Sequence, residues 1–341
     1  MSTPRERRRP AARALTAALL ALLALTGCAE QPAPAAPSAP SDAPDVTIGL
    51  TYTPDVQFAP FYVALEAGYY ADAGVDVTLR HHGASESLFG ALAAGEEQLV
   101  VAGGDEMVQA RAEGVPVVGV ATLYQRYPVV LLVPAGSDIE TAADLAGRRV
   151  GVPGPFGETY FGLLAVLDGA GLSTADVDVA HIGYTQQAAL AAGHVDAVMG
   201  FANNDAVQFA RAGIDVRAIP LPEDVPLVGI GIGAREDTLA ADRDAVAAVV
   251  EATLRGVADV VADPEAAVAV AAEHVPGLAG AEQRAAALAT LEATTELYQA
   301  DGVAPGASDP ARWERMVAFL EAQGLLAGPV AVEDALVGLG G

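Results

Sequence analysis

The residues able to do chemistry gather in short loops, each of which follows a brief apolar run. Tyr52-Thr53-Pro54-Asp55-Val56-Gln57-Phe58 follows the first run, and Gly103-Gly104-Asp105-Glu106 and Tyr124-Gln125-Arg126-Tyr127 follow later ones. Gly154-Pro155-Phe156-Gly157-Glu158-Thr159-Tyr160, Tyr184-Thr185-Gln186 and Phe201-Ala202-Asn203-Asn204-Asp205 complete the set. Aromatic residues make up 5% of the chain, yet nearly every one of these loops holds a Tyr or Phe. Aromatic faces beside a few carboxylates and amides suit the capture of a flat, nitrogen-rich heterocycle. The candidate ligand contacts are Tyr52, Asp55, Gln57, Phe58, Gly104, Asp105, Tyr124, Arg126, Phe156, Glu158, Thr159, Tyr184, Phe201, Asn203 and Asp205. Which of the aromatics face a ligand and which fill core beneath their loops is open at this point.

Several chemistries are excluded. All 18 basic residues are arginine, so no Schiff base, pyridoxal-phosphate anchor or P-loop lysine can form. Gly151, Gly154 and Gly157 precede a helix and could cradle an anion on backbone N–H groups, but their spacing fits neither the dinucleotide fingerprint nor the P-loop. His81-His82 has no evident third metal ligand, and Ser85 and Ser87 form no nucleophile elbow. No catalytic residue, metal or cofactor is therefore expected. A formal net charge of -26 argues against a nucleic-acid partner, which needs clustered bases.

The elements that must hold these loops alternate. Strand-like runs are expected at Val46–Thr51, Val75–Leu79, Leu99–Ala102, Val115–Thr122 and Val129–Val133, then at Arg149–Val152, Val177–Ile182, Ala197–Met199, Val216–Ile219 and Val225–Ile232. Helical stretches fall between them, at Phe61–Ala73, Ser87–Ala94, Thr159–Ala170, Gln186–Ala192 and Asp205–Ala212, with Asp105 a candidate cap for a helix through Ala112. Short apolar strands separated by helices of this length define an α/β fold with largely parallel sheets, in which ligands collect at the carboxyl ends of the strands. The tail from Arg243 reads as helical, with breaks near Pro264, Pro276 and Pro305.

The first residues read as an address. Arg5 to Arg13 form a basic start, Ala14 to Leu25 an apolar run too short to span a membrane comfortably, and Leu25-Thr26-Gly27-Cys28 resembles a bacterial lipobox. Residues 1–27 are thus expected to be a signal peptide, and Cys28, the only cysteine, a lipidation site. Residues 28–44, nearly all Ala, Pro, Ser and Gln, are expected to be a disordered tether. The expected location is extracytoplasmic, anchored to the cell membrane by lipid.

Phe61-Tyr62-Val63-Ala64-Leu65-Glu66-Ala67-Gly68-Tyr69-Tyr70 and Gly74-Val75-Asp76-Val77 carry a further signal. So do Ala91–Glu96, Val101–Asp105, Ala112–Val118, Asp144–Pro153, Gly193–Ala197, Trp313 and Phe319–Leu326. Together they resemble, collinearly over about residues 45 to 336, the thiamine-pyrimidine/sulfonate/nitrate group of ABC-importer solute-binding proteins. The resemblance implies a two-lobed type II periplasmic-binding-protein fold with a hinged inter-lobe cleft. It divides the chain into lobe 1 (45–132 plus 225–341) and lobe 2 (133–224), with Val129–Val133 and Val225–Ile232 as the joining segments. The implied partners are a small-molecule ligand and the permease and ATPase subunits of an importer, and a monomer is expected. Pyrimidine-binding members carry an Asn-rich, His-containing segment after the first strand; here that segment is Pro54–Pro60. Sulfonate, nitrate or taurine would need a base, and Arg126 is the only one in the loops, against Asp55, Asp105, Glu106, Glu158 and Asp205. A thiamine-precursor pyrimidine is the first expectation for the ligand and a flavin the second. A pyrimidine synthase of the same superfamily would be cytosolic and would need an active-site lysine, which this chain lacks.

Overall fold

A computed structural model describes residues 43–83, 86–222 and 224–339. The expected signal peptide, Cys28 and nearly all of the expected tether lie outside the described residues. Ten strands run in chain order: β1 (Asp45–Leu50), β2 (Asp76–His81), β3 (Leu99–Gly103), β4 (Val117–Thr122), β5 (Val129–Pro134), β6 (Arg149–Val152), β7 (Asp178–His181), β8 (Ala197–Phe201), β9 (Val216–Pro220) and β10 (Ile230–Arg235). They form two five-stranded sheets of order β2-β1-β3-β10-β4 and β7-β6-β8-β5-β9. β1 pairs in parallel with β2 and β3, as β6 does with β7 and β8. One strand of each sheet runs the other way: β10 is antiparallel to β3 and β4, and β5 to β8 and β9.

This arrangement corrects the expected joining segments. Val129–Val133, expected both as a strand and as a joining segment, is a strand and belongs wholly to the second sheet, where Val129, Leu132 and Val133 have no solvent exposure. The expected boundary at 132/133 would cut β5, so the second lobe's sheet begins at Val129. At the other passage the strand starts at Ile230, whereas Val225, Leu227 and Val228 are buried outside any strand. The apolar run 225–232 therefore mixes connector core with strand, a distinction that hydrophobicity does not carry. The chain passes between the sheets from β4 to β5 and from β9 to β10.

Helices cover the sheets, and their starts follow local chemistry. Asp263-Pro264 and Asp309-Pro310 open the helices Pro264–His274 and Pro310–Ala322, where each Asp carboxylate accepts a first-turn N–H and each Pro occupies a position that needs no donor. Asp242 caps the helix Arg243–Ala262 in the same way, accepting from the Ala245 N–H. The expected helix Phe61–Ala73 is two pieces, Ala59–Glu66 and Tyr69–Asp72, because Gly68 turns the backbone left-handed at φ 74°. Ahead of β6 the chain makes only a single 3-10 turn, Ala142–Leu145. Trp313, on the Pro310–Ala322 helix, is buried against Gly104 and Gly119 and joins that helix to the first sheet. Among the described residues, no helix is long and apolar enough to cross a membrane.

The helix Arg243–Ala262 buries Val246, Val249, Val257 and Val260 against the first lobe and packs on Ala59–Glu66. Gly256 allows this contact: a Cβ there would fall well inside van der Waals distance of the Pro60 carbonyl oxygen. Gly256→Ala should therefore destabilise the fold by about 1–3 kcal/mol despite the better helix propensity of alanine. Chemical denaturation, with a lowered midpoint and an unchanged slope, checks this.

Candidate functional site: an acidic, aromatic cleft

Loops at the carboxyl ends of the strands of both sheets enclose a cleft of about 480 Å³. After β1, Thr51, Tyr52, Asp55, Gln57 and Phe58 line it. Gly103 and Glu106 contribute from the start of the helix Gly104–Ala112, and Tyr124 from the passage into β5. From the second lobe come Phe156, Gly157, Glu158 and Thr159 after β6, Tyr184 and Gln186 after β7, and Phe201, Asn204 and Asp205 after β8.

Four of the residues expected in the site lie elsewhere. Gly104 faces away from the cleft, with Val228 and Trp313 against its Cα; Gly103 lines the wall instead. Asp105 sits behind the wall with no solvent exposure. Arg126 is exposed outside the cleft, so no basic side chain is among the lining residues. Asn203 is fully buried and donates from Nδ2 to Thr294 Oγ1 at 2.9 Å, leaving Asn204 to face the cleft. Glu106 for Asp105 and Asn204 for Asn203 are one-residue differences of phase at helix starts, which periodicity does not settle. Tyr298 is a residue that sequence reasoning missed. It lies beyond the helix Ala281–Thr295, in a tail read as helical, and meets Tyr124 edge-on at 5.4 Å between ring centroids.

The question of which aromatics are core resolves by exposure. Tyr124 and Tyr298 are buried, whereas Tyr52 (57%), Phe156 (52%) and Tyr184 (81%) show their faces to solvent. Large apolar side chains exposed together around one cleft mark a binding surface. Tyr52 comes from the first lobe, Phe156 and Tyr184 from the second. His81 helps to set Tyr52: its Nδ1 lies 3.1 Å from the Tyr52 carbonyl oxygen and its Nε2 2.8 Å from the Tyr62 hydroxyl. Burial lowers the His81 pKa, and in the neutral ring Nδ1–H donates to Tyr52 while Nε2 accepts from Tyr62. His82 pairs with Glu97 at 2.8 Å, so the two adjacent histidines serve separate neighbours.

The carboxyls are held by backbone amides, not by bases. Asp55 caps the turn Val56–Phe58 by accepting from the Gln57 N–H at 3.0 Å, and Asp205 accepts from the Phe201 N–H at 2.8 Å; burial raises the pKa of both. Behind them Asp105, Glu106 and Glu158 crowd the first turns of the helices Gly104–Ala112 and Gly157–Gly169. Asp105 accepts from the Glu106 N–H at 2.8 Å and the Tyr127 hydroxyl at 2.6 Å, and Glu106 accepts from the Gly103 N–H at 3.1 Å. Burial, then the charge of Glu106, push Asp105 up to about 8. Burial raises Glu106, and burial followed by the Asp105 and Glu106 charges holds Glu158 well above the carboxylate range.

These shifts have a signed consequence. Unfolded, the carboxyls release their protons in the ordinary range near 4; folded, they retain them to about pH 8 at Asp105. The cluster's contribution to stability is full below the ordinary range and is lost as pH rises through about 8. The melting temperature should fall by on the order of several degrees between about pH 5 and about pH 8, and Glu158→Gln should flatten that slope. Thermal melts across pH on both proteins check it.

The NMT1/THI5-like family profile matches residues 55–267. The riboflavin-binding protein RibY of Chloroflexus aurantiacus is 34% identical over 295 residues, covering 85% of this chain and 84% of its own. A formylaminopyrimidine-binding protein of Halalkalibacterium halodurans is 26% identical over 299 residues, covering 85% and 88%. Among solved structures, the periplasmic aliphatic sulphonate binding protein SsuA from Escherichia coli superposes with a TM-score of 0.69 at 18% identity, covering 89% of this chain and 95% of that one. That likeness is one of fold, and it matches the two-lobed periplasmic-binding-protein architecture expected from the sequence. By its matched residues and by a relative that it follows over most of both lengths, the chain belongs to the NMT1/THI5-like family.

Proposed function

We propose that the protein is the extracytoplasmic capture component of an ABC importer, that it takes a flat, uncharged nitrogen heterocycle between its lobes, and that the heterocycle is a flavin. The observation that carries this reading is the combination of three exposed aromatics with an acidic lining that has no base. Desolvating a nitrate or a sulfonate group, that of taurine included, beside four lining carboxyls is unfavourable. A cleft of about 480 Å³ lies in the range that encloses drug-sized ligands and exceeds the need of one small ring. The relative at 34% identity is named for riboflavin, which supports ranking a flavin ahead of the thiamine-precursor pyrimidine expected first from the sequence. The relative at 26% identity is named for formylaminopyrimidine and keeps a pyrimidine as the second reading. We read the protein as a binder and not an enzyme, in line with these relatives. A Legionella pneumophila relative named 4-amino-5-hydroxymethyl-2-methylpyrimidine phosphate synthase matches 48% of the chain at 26% identity. Capture would proceed by closure of the lobes about the two passages of chain that join them.

Titration calorimetry with riboflavin, 4-amino-5-hydroxymethyl-2-methylpyrimidine and taurine tests the reading. Riboflavin should bind most tightly, and its fluorescence should be quenched by stacking. Tyr52→Ala, Phe156→Ala, Tyr184→Ala and Phe201→Ala should each weaken it on the order of tenfold, because ring stacking of about 0.5–1.5 kcal/mol adds to the lost apolar contact. Binding of taurine with no binding of either heterocycle overturns the reading.

The membrane anchor at Cys28 is a separate part of the proposal. Cys28→Ser should move the protein from the membrane fraction to the soluble fraction and leave riboflavin affinity unchanged; fractionation followed by titration of the released protein measures both.

A further inference from the structure

Among the carboxyls around the cleft, Glu158 stands in an unusual position. The residue is 7% exposed and lines the cleft, and neither of its carboxyl oxygens has a hydrogen-bond partner among the described residues; Oε1 is enclosed, which leaves Oε2 as the oxygen open to the cleft. Asp105 receives a donor at each of its oxygens, and Glu106 receives one from Gly103. Asp105 Oδ1 and Glu158 Oε1 lie 2.5 and 3.1 Å from the point that a Cβ on Gly103 would occupy, and Glu106 Oε1 lies 3.7 Å from the corresponding point on Gly157. Three acids from the first turns of two helices thus converge on one small volume.

Two helix starts can stabilise roughly one elementary charge between them, since each carries about +0.5. The donors at hand go to Asp105 and Glu106. Tyr127, from the passage into β5, spends its hydroxyl on Asp105 and also lies 3.0 Å from the Glu158 carbonyl oxygen, not its carboxyl. Tyr124, from the same passage, also faces Glu158 and has its own pKa raised. Arg312, on the Pro310–Ala322 helix, faces Tyr127, but its guanidinium donates to the Leu227 and Gln125 carbonyl oxygens at 2.7 and 3.1 Å. An ionised Glu158 would be a buried charge with neither a base nor a donor at Oε1, and such a group neutralises instead. As the acid it carries an O–H, and on Oε2 that hydrogen can face the cleft.

We propose that Glu158 is the specificity-determining group of the cleft: a neutral carboxyl that donates its hydrogen to an uncharged acceptor atom, a ring nitrogen or carbonyl oxygen, of the bound heterocycle. This rests on the heterocycle reading above and adds which part of the ring is recognised. A ring presenting an acceptor toward this point pairs with the O–H, whereas Asp55 and Asp205 accept from N–H groups elsewhere on the ligand.

Two measurements test it. Infrared difference spectra of the ligand-free protein at neutral pH should contain a protonated-carboxyl band that Glu158→Gln removes; no loss of such a band overturns the proposal without reference to any ligand. Riboflavin titrations from about pH 6 to about pH 9 should show wild-type affinity falling toward the alkaline end, as the donated proton is lost. Glu158→Ala should weaken binding on the order of tenfold, and Glu158→Gln, whose amide still donates, should restore most of that loss with a flat pH profile. Affinity that rises with pH would make Glu158 an ionised acceptor and overturn the proposal. Riboflavin binding that is unaltered in both variants overturns it too, but leaves the flavin reading standing. A wild-type protein that binds neither riboflavin nor the pyrimidine removes the heterocycle reading and this proposal with it.

Discussion

Each of the two passages of chain between the sheets ends in an antiparallel strand driven into the sheet it enters, β5 between β8 and β5's other neighbour β9, and β10 between β3 and β4. The register shows where each enters. Val129, the first residue of β5, pairs with Phe201 at the carboxyl end of β8, and Ile230, the first of β10, pairs with Gly103 at the carboxyl end of β3. Both passages therefore run along the loop-bearing edges of the parallel strands, where helix starts and ligand sites collect. Cleft and connection are the same place, and Tyr124 and Ile230 belong to both.

That constraint makes the electrostatics of the cleft what they are. Helices that follow parallel strands point their positive ends at the loop edge. The chain fills this edge with its own acids: Asp55 and Asp205 on backbone amides, and Asp105, Glu106 and Glu158 on the starts of two helices. At Asp55, Asp105, Glu106 and Asp205, amides that could have held an anionic ligand are occupied by carboxyl oxygens. What remains exposed is aromatic, so the recognition proposed above would fall to stacking faces and to the few polar atoms left unpaired.

Much of this was legible in the sequence, for identifiable reasons. The strands are apolar runs of four to six residues between turn signals, and the loops that follow them are polar and aromatic, so most candidate contacts fall on the cleft. The errors are of three physical kinds. Asp105 against Glu106 and Asn203 against Asn204 turn on the phase of a helix's first residues, where one step moves a side chain from wall to interior. Arg126 was placed by its loop, but a loop does not say on which side its longest side chain leaves. Tyr298 reaches the cleft from more than a hundred residues beyond Tyr124, through a packing of helices that no local pattern encodes. The strand β5 was legible as a strand, but which sheet it joins was not, because a run that closes one lobe and a run that links two have the same composition.

Trp313 gives the molecule a property of another sort. It is the only tryptophan in the chain, and its ring lies against Gly104, the first residue of the helix whose first turn supplies Glu106 to the cleft wall. A single indole in an apolar enclosure emits as one population, with a colour set by its immediate surroundings and no second indole to average over. Its light would overlap the absorption of a yellow chromophore held nearby, so occupancy of the cleft could be read by energy transfer from a native fluorophore, without a dye attached anywhere on the protein.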